Sequence, residues 1–503
     1  MAASKPTNLP RFWWLKRFAI GGTAAVLLLA GIWCLWFWYA QRTLDREVAK
    51  LRAAGRPVSR EDLCTRRLPD GQNALIPLRQ AMNSSPTVDV PASSAMSFRE
   101  ELPYPPAWHA MMNKAYPAYA GIYPLVRQAR LIGQVDHGPF PPTGPILMLA
   151  GPRFSQYRQL ANVLGDTALY YHFRGEDAAA LETISDLLFL SDATAEYPFL
   201  MAKLVGHGIR AVAANRLLVI ATDIRISSAD DRATSMLAGP ASRGQAQSLI
   251  KTLLHDEVIG QSYASALYEE GVFSLDMINA YNLHILRPAH MLAVAQALAM
   301  EDSRGSVIRE QSLPTTALRN AQKRPWAIRF FGVGASSRLE IISFRGRMYQ
   351  RVAAISLATA LYRADHGTYP RALNELVPAY LPAVPVDPMS ASGAPFGYMI
   401  VADGRRPILI SAGEDGIMQT KDESFIPLCA MYGYTDTRGR PCDDQYIDLS
   451  AWKDPTPPPP EADPLPEDTQ PDNGQKPDAP GNDNQPKQAG QQPQTGNGHG
   501  DQK

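Results

Sequence analysis

The longest uninterrupted apolar stretch of the chain is residues 18–40, which contain no charged side chain. A helix of this length spans about 34 Å and would cross the roughly 30 Å hydrocarbon core of a bilayer. Aromatic residues cluster at both ends of the stretch, as they do at membrane interfaces. A cleaved signal peptide is the alternative, but the run is longer than usual and ends in bulky residues rather than a small-residue cleavage site. The pattern therefore predicts one transmembrane helix.

Beyond this span, apolar positions recur mostly every three or four residues, which is the spacing of a helix with a buried face. Between Phe154 and Ile226 the pattern predicts three consecutive helices, separated at residues 174–177 and 196–198. The first two helices fit a generic helical hairpin better than a tetratricopeptide-like repeat, because no second copy is found. Residues 81–106 and 133–152 are rich in turn-forming residues and predict loops.

Periodicity and composition together predict a mainly α protein with a small α+β module behind an N-terminal transmembrane helix. The predicted regions are an N-terminal tail (1–17), the transmembrane helix (18–40), a helical and Pro/Gly-rich connecting region (41–149), an α-helical domain (150–340), the α+β module (341–450) and a Pro/Gln-rich tail (454–503). The C-terminal tail has almost no apolar side chains to offset the entropy of ordering, so it is predicted to be disordered.

The overall charge balance does not favour a nucleic-acid partner, and the charges that flank the span leave its orientation nearly open. Lys+Arg and Asp+Glu both number 49, so the sequence gives no support to a nucleic-acid partner, which needs a basic surplus. Basic residues flank the predicted span on both sides, so the positive-inside rule only weakly favours one orientation of the helix in the membrane. A short tail ahead of a large domain favours a cytoplasmic N-terminus. The expected location is therefore the inner membrane of a bacterium, with the bulk of the chain in the periplasm.

Motifs of the common enzyme classes are missing from the sequence. It has no Gly-x-Ser-x-Gly elbow, Walker loop, strand-coupled Gly-x-Gly-x-x-Gly or His-Glu-x-x-His. His207 lies between two glycines, and a flexible or closely packed helix is the plainer explanation of that pattern than catalysis. His255 precedes two acidic residues, but no metal-ligand spacing accompanies it. We predict no catalytic residue and expect a binding or scaffolding protein. The alternative is a membrane-anchored envelope hydrolase with a site between the helices of the middle domain.

Two cysteines are candidates for a disulfide bond. Cys429 and Cys442 lie thirteen residues apart in a polar segment. In a periplasmic domain they would be well placed to pair, and closing a loop of this length would stabilise the fold by about 3 kcal/mol. Two free thiols are the alternative, and the expected one if the domain faces the cytoplasm.

Residues 344–416 carry an ordered series of short motifs. A helix with Phe344, Met348 and Ile355 on one face ends at Asp365-His366-Gly367; the motifs that follow are Tyr369-Pro370, Leu373 to Leu381-Pro382, Val386-Asp387-Pro388 and Ile410-Ser-Ala-Gly-Glu-Asp-Gly416. This order resembles the globular part of the major pseudopilin of type II secretion systems. The resemblance implies a helix packed on a small antiparallel sheet.

The resemblance implies a fold more than a function. The expected binding or scaffolding role lies in an envelope assembly, and a calcium ion is the one candidate cofactor. Here the membrane helix is not continuous with the helix of the module, and a prepilin-peptidase site is missing, so we do not expect a pilus subunit. The family's acidic loop often binds calcium, which takes six to eight oxygen ligands. Asp415, Asp422 and Glu423 would supply oxygens here, although such loops are usually only solvated. The expected partners are the lipid bilayer and unidentified envelope proteins.

Overall fold

The computed structural model describes residues 13–53, 68–84, 104, 106–137, 146–197, 200–227, 239–255, 288–289, 291–292, 338–401, 404–413, 415–420 and 444–450. Within these ranges the chain is mainly helical with a small three-stranded antiparallel sheet, which confirms the predicted fold class at that level. Several predicted features lie outside the described residues: Asp422, Glu423, Cys429, Cys442 and the tail 454–503.

Helix α1 (Trp13–Ala53) contains the predicted span and continues beyond it. Its apolar side chains are exposed along most of its length, for example Phe18 at 76%, Leu28 at 66% and Leu35 at 68%. Exposing so many large apolar side chains to water is unfavourable, at roughly 25 cal/mol per Å². The helix is long and apolar enough to cross a membrane, as the sequence predicts.

Seven helices follow in the described part of the chain before residue 256. They are α2 (Leu75–Asn83), α3 (Pro106–Tyr119), α4 (Ile122–Ile132), α5 (Ile146–Phe173), α6 (Asp177–Ala195), α7 (Leu200–Ile220) and α8 (Arg243–Leu254). Helices α5, α6 and α7 pack against one another and confirm the three helices predicted between Phe154 and Ile226. The loop predicted for residues 133–152 is wrong from Ile146 onwards, because Leu, Met and Ala in this run favour a helix.

Helix α9 (Arg338–His366) is the helix of the predicted module. It ends where the sequence predicts, because Gly367 adopts a left-handed φ of 72° and its N–H donates to the Arg363 carbonyl at 2.8 Å. The predicted apolar face is buried, but so are Ala354 and Leu357 on other sides of the helix. The prediction of a single buried face was incomplete, because α9 packs against α7, α8 and a 3-10 turn at Leu373–Leu376.

The sheet consists of β1 (Gly397–Val401), β2 (Arg406–Ser411) and β3 (Gln445–Asp448), with β2 in the centre. Both pairings are antiparallel, and Leu409 of β2 lies opposite Tyr398 and Ile447. Because alternate residues of a strand face opposite sides, Leu409 joins the main apolar core while Ile408 and Ile410 form a smaller cluster on the other face. The chain reverses after β2 into the predicted acidic loop.

Candidate functional site

The predicted acidic loop is a tight turn built around Asp415. Its carboxylate accepts hydrogen bonds from the Ile417 N–H at 2.8 Å and from the Gln419 side-chain amide at 2.7 Å. Gly416 has a left-handed φ of 74°, and a Cβ there would lie 2.8 Å from the Cβ of Ala391. A glycine is therefore required at this position. Hydrogen bonds from neighbouring residues therefore hold the Asp415 carboxylate in place, beyond the end of β2.

A second carboxylate, which the sequence did not indicate, lies beside this loop. Oδ2 of Asp444 accepts hydrogen bonds from the backbone N–H groups of Gln419 at 2.9 Å and Thr420 at 2.7 Å. Burial raises the pKa of Asp444 most strongly, and the negative charge of Asp415 raises it further, against the hydrogen bonds from Thr420 and Gln419. The chain pairing of β2 with β3 brings the two carboxylates together.

Among the described residues, two oxygen atoms in and beside this loop are buried without a hydrogen-bond partner. They are Oδ1 of Asp444 and Oε1 of Gln419, in side chains that are 8% and 7% exposed. Buried oxygen acceptors usually accept a hydrogen bond, so two that do not are unusual beside the charge of Asp415. Oxygen atoms are the ligands that calcium takes, but the described ranges contain no group of three or more His, Cys, Asp or Glu placed to hold a metal. Asp422 and Glu423, the other predicted ligands, lie outside those ranges.

The Val386-Asp387-Pro388 motif contains a fully buried carboxylate. Asp387 accepts hydrogen bonds from the Met389 N–H at 2.9 Å, the Ser411 hydroxyl at 2.9 Å and the Ala412 N–H at 2.7 Å. Burial raises the pKa of Asp387, and these hydrogen bonds oppose the shift. The carboxylate joins the segment before β1 to the end of β2. The motif therefore has a structural role in holding the start of the acidic loop at the end of β2.

The two histidines of the hydrolase alternative lie in different environments. His207 is enclosed in α7, and burial lowers its pKa to about 3, with the charges of Lys203, Arg210 and Arg347 acting in the same direction. It is therefore neutral at pH 7 and surrounded by cations. His255 follows the last residue of α8 and is exposed.

A different histidine, His172 at the end of α5, is held between two carboxylates. Its Nδ1 lies 2.6 Å from Oδ1 of Asp177 at the start of α6, and its Nε2 lies 2.9 Å from Oδ1 of Asp223 after α7. Burial alone would lower the pKa of His172, but the two hydrogen bonds outweigh it and raise the pKa to about 9. The imidazolium therefore donates both protons and has no lone pair for a metal or a base role. It ties three helix ends together.

Helices α4 and α6 are joined by a network of two arginines and two acids. Nε of Arg127 and Nε of Arg130 donate to the buried carboxylate of Asp186, at 2.9 Å and 2.6 Å. Glu182, one turn earlier, also pairs with both arginines. The spacing of Arg127 to Arg130 and of Glu182 to Asp186 puts each pair on one helix face. The pairing between the helices was not evident from spacing alone.

The arrangements above are thus an acidic loop with unsatisfied oxygens and several buried charges with structural partners. Comparison of the chain with protein-family models, with curated proteins and with solved structures finds no match.

Proposed function

We propose that the protein is a single-pass inner-membrane protein of a bacterium that acts as a binding or scaffolding component of an envelope assembly. The observation that carries this proposal is α1, whose exposed apolar side chains are placed for lipid contact. Beyond residue 40 the helix becomes polar, with Lys50 paired to Glu47 at 2.8 Å. The helical fold and the small sheet follow on the periplasmic side.

A binding role is favoured over catalysis by the partners of the buried ionisable groups. His172 and Asp387 use their polar atoms for contacts within the fold. His207 is neutral at pH 7, because burial and the charges of Arg210, Arg347 and Lys203 lower its pKa to about 3. The short turn between α5 and α6 supports the generic helical hairpin, a scaffold suited to presenting surfaces.

The proposed likeness to the type II secretion pseudopilin has support in contacts between its motif residues. The Tyr398 hydroxyl donates to the carbonyl of Pro370 at 2.8 Å, so the Tyr-Pro turn is held against β1. Asp387 links its own motif to Ser411, the residue that begins the loop. The motifs thus cooperate in one local structure, and we propose that the assembly is secretion-related.

Topology reporters test the shared premise of these proposals. A periplasm-dependent reporter fused after Lys453 should be active, and a cytoplasm-dependent reporter at the same site should be inactive. The same pair fused ahead of Trp13 serves as the control and should give the reverse pattern. A cytoplasmic result after Lys453 would sink the proposed orientation. Affinity capture from solubilised, cross-linked membranes would then identify the envelope partners.

We also propose that the acidic loop binds calcium through Asp415, Asp422 and Glu423, with Asp444 and Gln419 supplying further oxygens. The two unsatisfied buried oxygens support this assignment. Calcium should raise the melting temperature of the detergent-solubilised protein, and Asp422→Asn should weaken calcium binding by about tenfold or more. The exposed Asp70→Asn variant is the control. A melting temperature that calcium leaves unchanged would count against the site.

The proposed periplasmic location favours a disulfide between Cys429 and Cys442. Peptide mapping without reductant, on protein isolated with a thiol-blocking agent, tests this pairing. A linked peptide pair is expected. Blocked free thiols at both positions would contradict the bridge and would weaken the case for the periplasm.

A further inference from the structure

A small cavity of about 150 Å³ lies between α2, the segment that follows α4, the first turns of α5 and the end of α6. It is far from the acidic loop in sequence. Among the described residues that line it there is no Asp or Glu, whereas two are arginines. Its polar lining residues include Arg79, His137, Arg153, Tyr157 and Tyr197.

Both arginines of the cavity have donors to spare. Arg79 makes one long hydrogen bond, 3.5 Å, to the backbone carbonyl of His137, and Arg153 donates to the Tyr197 hydroxyl at 3.0 Å. Neither arginine has a salt bridge to an acid in the described part of the chain. Each guanidinium has five N–H donors in a planar fork that matches two oxygens of an oxyanion. Two neighbouring cations without an acid favour a bound anion between them.

His137 gives the cavity a hydrogen-bond acceptor beside the two cations. Its ring packs on that of Tyr197 with centroids 3.6 Å apart, and its Nε2 lies 3.0 Å from the Ala193 carbonyl oxygen. Since a carbonyl can only accept, Nε2 carries the proton. Burial, with the charges of Arg79 and Arg153 acting in the same direction, lowers the pKa of His137 to about 3, so the ring is neutral at pH 7. Its Nδ1 therefore presents a lone pair, buried and without a hydrogen-bond partner in the described structure.

We propose that this cavity binds the phosphate group of a small ligand in a singly or doubly charged form that keeps one proton, either free hydrogen phosphate or a phosphate monoester bound as its monoanion. Arg79 and Arg153 bind the anionic oxygens, and a protonated phosphate oxygen donates its hydrogen to Nδ1 of His137. Sulfate has the same shape but carries no proton at neutral pH, so His137 would discriminate against it. The proposal goes beyond the proposed function, because it depends neither on membrane orientation nor on the pseudopilin likeness.

Calorimetric titration of the full-length, detergent-solubilised protein with inorganic phosphate at pH 7 and low salt tests the site. We expect saturable binding to one site, weakened about tenfold or more in Arg79→Gln and in Arg153→Gln. Arg158→Gln is the matched control, since Arg158 lies on the same helix but outside the cavity lining. Absence of binding by the wild type, or equal weakening by Arg158→Gln, would overturn the proposal.

Two further titrations identify the ligand class. Sulfate should bind at least several-fold more weakly than phosphate to the wild type, and His137→Phe should remove this preference. Equal affinities in the wild type would overturn the role of His137. Comparing the affinity for glycerol 3-phosphate with that for inorganic phosphate shows whether the site prefers a monoester or the free ion. Tighter binding of lactate than of either would show that the site selects a hydroxy acid and would overturn the phosphate assignment.

Chemical protection provides a readout that does not depend on how well the variants fold. In the wild-type protein, phosphate should slow modification of Arg79 and Arg153 by phenylglyoxal, as measured by mass spectrometry of the digested chain. Modification of Arg158 should proceed at the same rate with and without phosphate. Equal rates for all three arginines would contradict the site even if both glutamine variants failed to fold.

Discussion

Individual buried charges in this protein are held by partners on distant parts of the chain. His172 illustrates the cost and the benefit of this arrangement. Removing its imidazolium from water is unfavourable, but two carboxylates from different segments offset that penalty and stabilise the charged form. Because these carboxylates favour the charged form of His172, the stability of the fold depends on pH.

The stability contributed by His172 should be present at neutral pH and lost in alkali. Because its folded pKa is raised from 6.5 to about 9, the contribution is complete below about pH 6.5 and disappears as the pH rises through about 9. The contribution is up to about 3 kcal/mol. Thermal unfolding between pH 6 and pH 10 should show His172→Gln well below wild type at low pH and converging with it at high pH. His255→Gln, at an exposed site, should follow the wild type throughout. A difference in stability between His172→Gln and the wild type that stays constant with pH would contradict the role of the charged His172.

Truncation of Asp387 should be among the most damaging substitutions near the sheet. Asp387→Ala leaves the N–H groups of Met389 and Ala412 buried without an acceptor, at about 1–3 kcal/mol for each group. The expected loss is therefore about 3 kcal/mol or more, measured by thermal or urea unfolding in detergent. Asp70→Ala, at an exposed position, should change stability by less than about 0.5 kcal/mol. Similar stabilities for the two variants would refute the structural role of the Val-Asp-Pro motif.

The packing of α6 against α7 depends on a glycine beside His207. A Cβ at Gly206 would lie 2.9 Å from the Ser191 carbonyl oxygen and 3.0 Å from the Cβ of Ala195, both on α6. The Ser191 hydroxyl also donates to the Gly206 carbonyl at 2.8 Å. The two helices therefore approach closely at this point, and a larger residue would force them apart.

The two glycines that flank His207 should respond to alanine in opposite directions. Gly206→Ala should destabilise the protein by about 1–3 kcal/mol through overpacking. Gly208→Ala meets nothing within 4 Å and should stabilise the helix by up to about 1 kcal/mol. Melting temperatures of the two variants provide the measurement. If both rose together, close packing would not be the reason for Gly206.

Across the molecule, the described helices before residue 256 and the α+β module share one apolar core. Leu217 of α7, Leu253 of α8, Leu361 of α9 and Leu409 of β2 belong to one continuous cluster and are all fully buried. Helix α9 is the link, because it packs against α7 and α8 and also precedes the sheet. The domain boundary near residue 340 stays a prediction. The shared core indicates that the parts on either side of it stabilise each other.

We expect a fragment containing only residues 338–450 not to fold independently. Removing α7 and α8 would expose the apolar surface of α9, at roughly 25 cal/mol per Å². Limited proteolysis should degrade this fragment rapidly, whereas residues 68–450, which lack α1 but keep the shared core, should give a resistant product. A protease-resistant, cooperatively unfolding 338–450 fragment would show that the module is autonomous.

Features encoded in short stretches of the chain were predictable, because they depend on neighbours a few residues apart. The span at residues 18–40, the helices between Phe154 and Ile226 and the end of α9 at Gly367 follow from hydrophobic periodicity and backbone preference. The network of Arg127 and Arg130 with Glu182 and Asp186 joins two helices and was not predicted. The start of α5 was misplaced because its Pro and Gly neighbours obscured a helix-forming run.

Contacts between segments far apart in the chain could not be inferred from local patterns. Asp444 reaches the loop of Asp415 only through the pairing of β2 with β3. Arg79 and Arg153 line one cavity with His137 because α2 and α5 fold against the segment after α4. Local periodicity therefore specified most of the helices and the membrane span. Packing between distant segments specified which charges are paired, which oxygens are unsatisfied and where a ligand would bind.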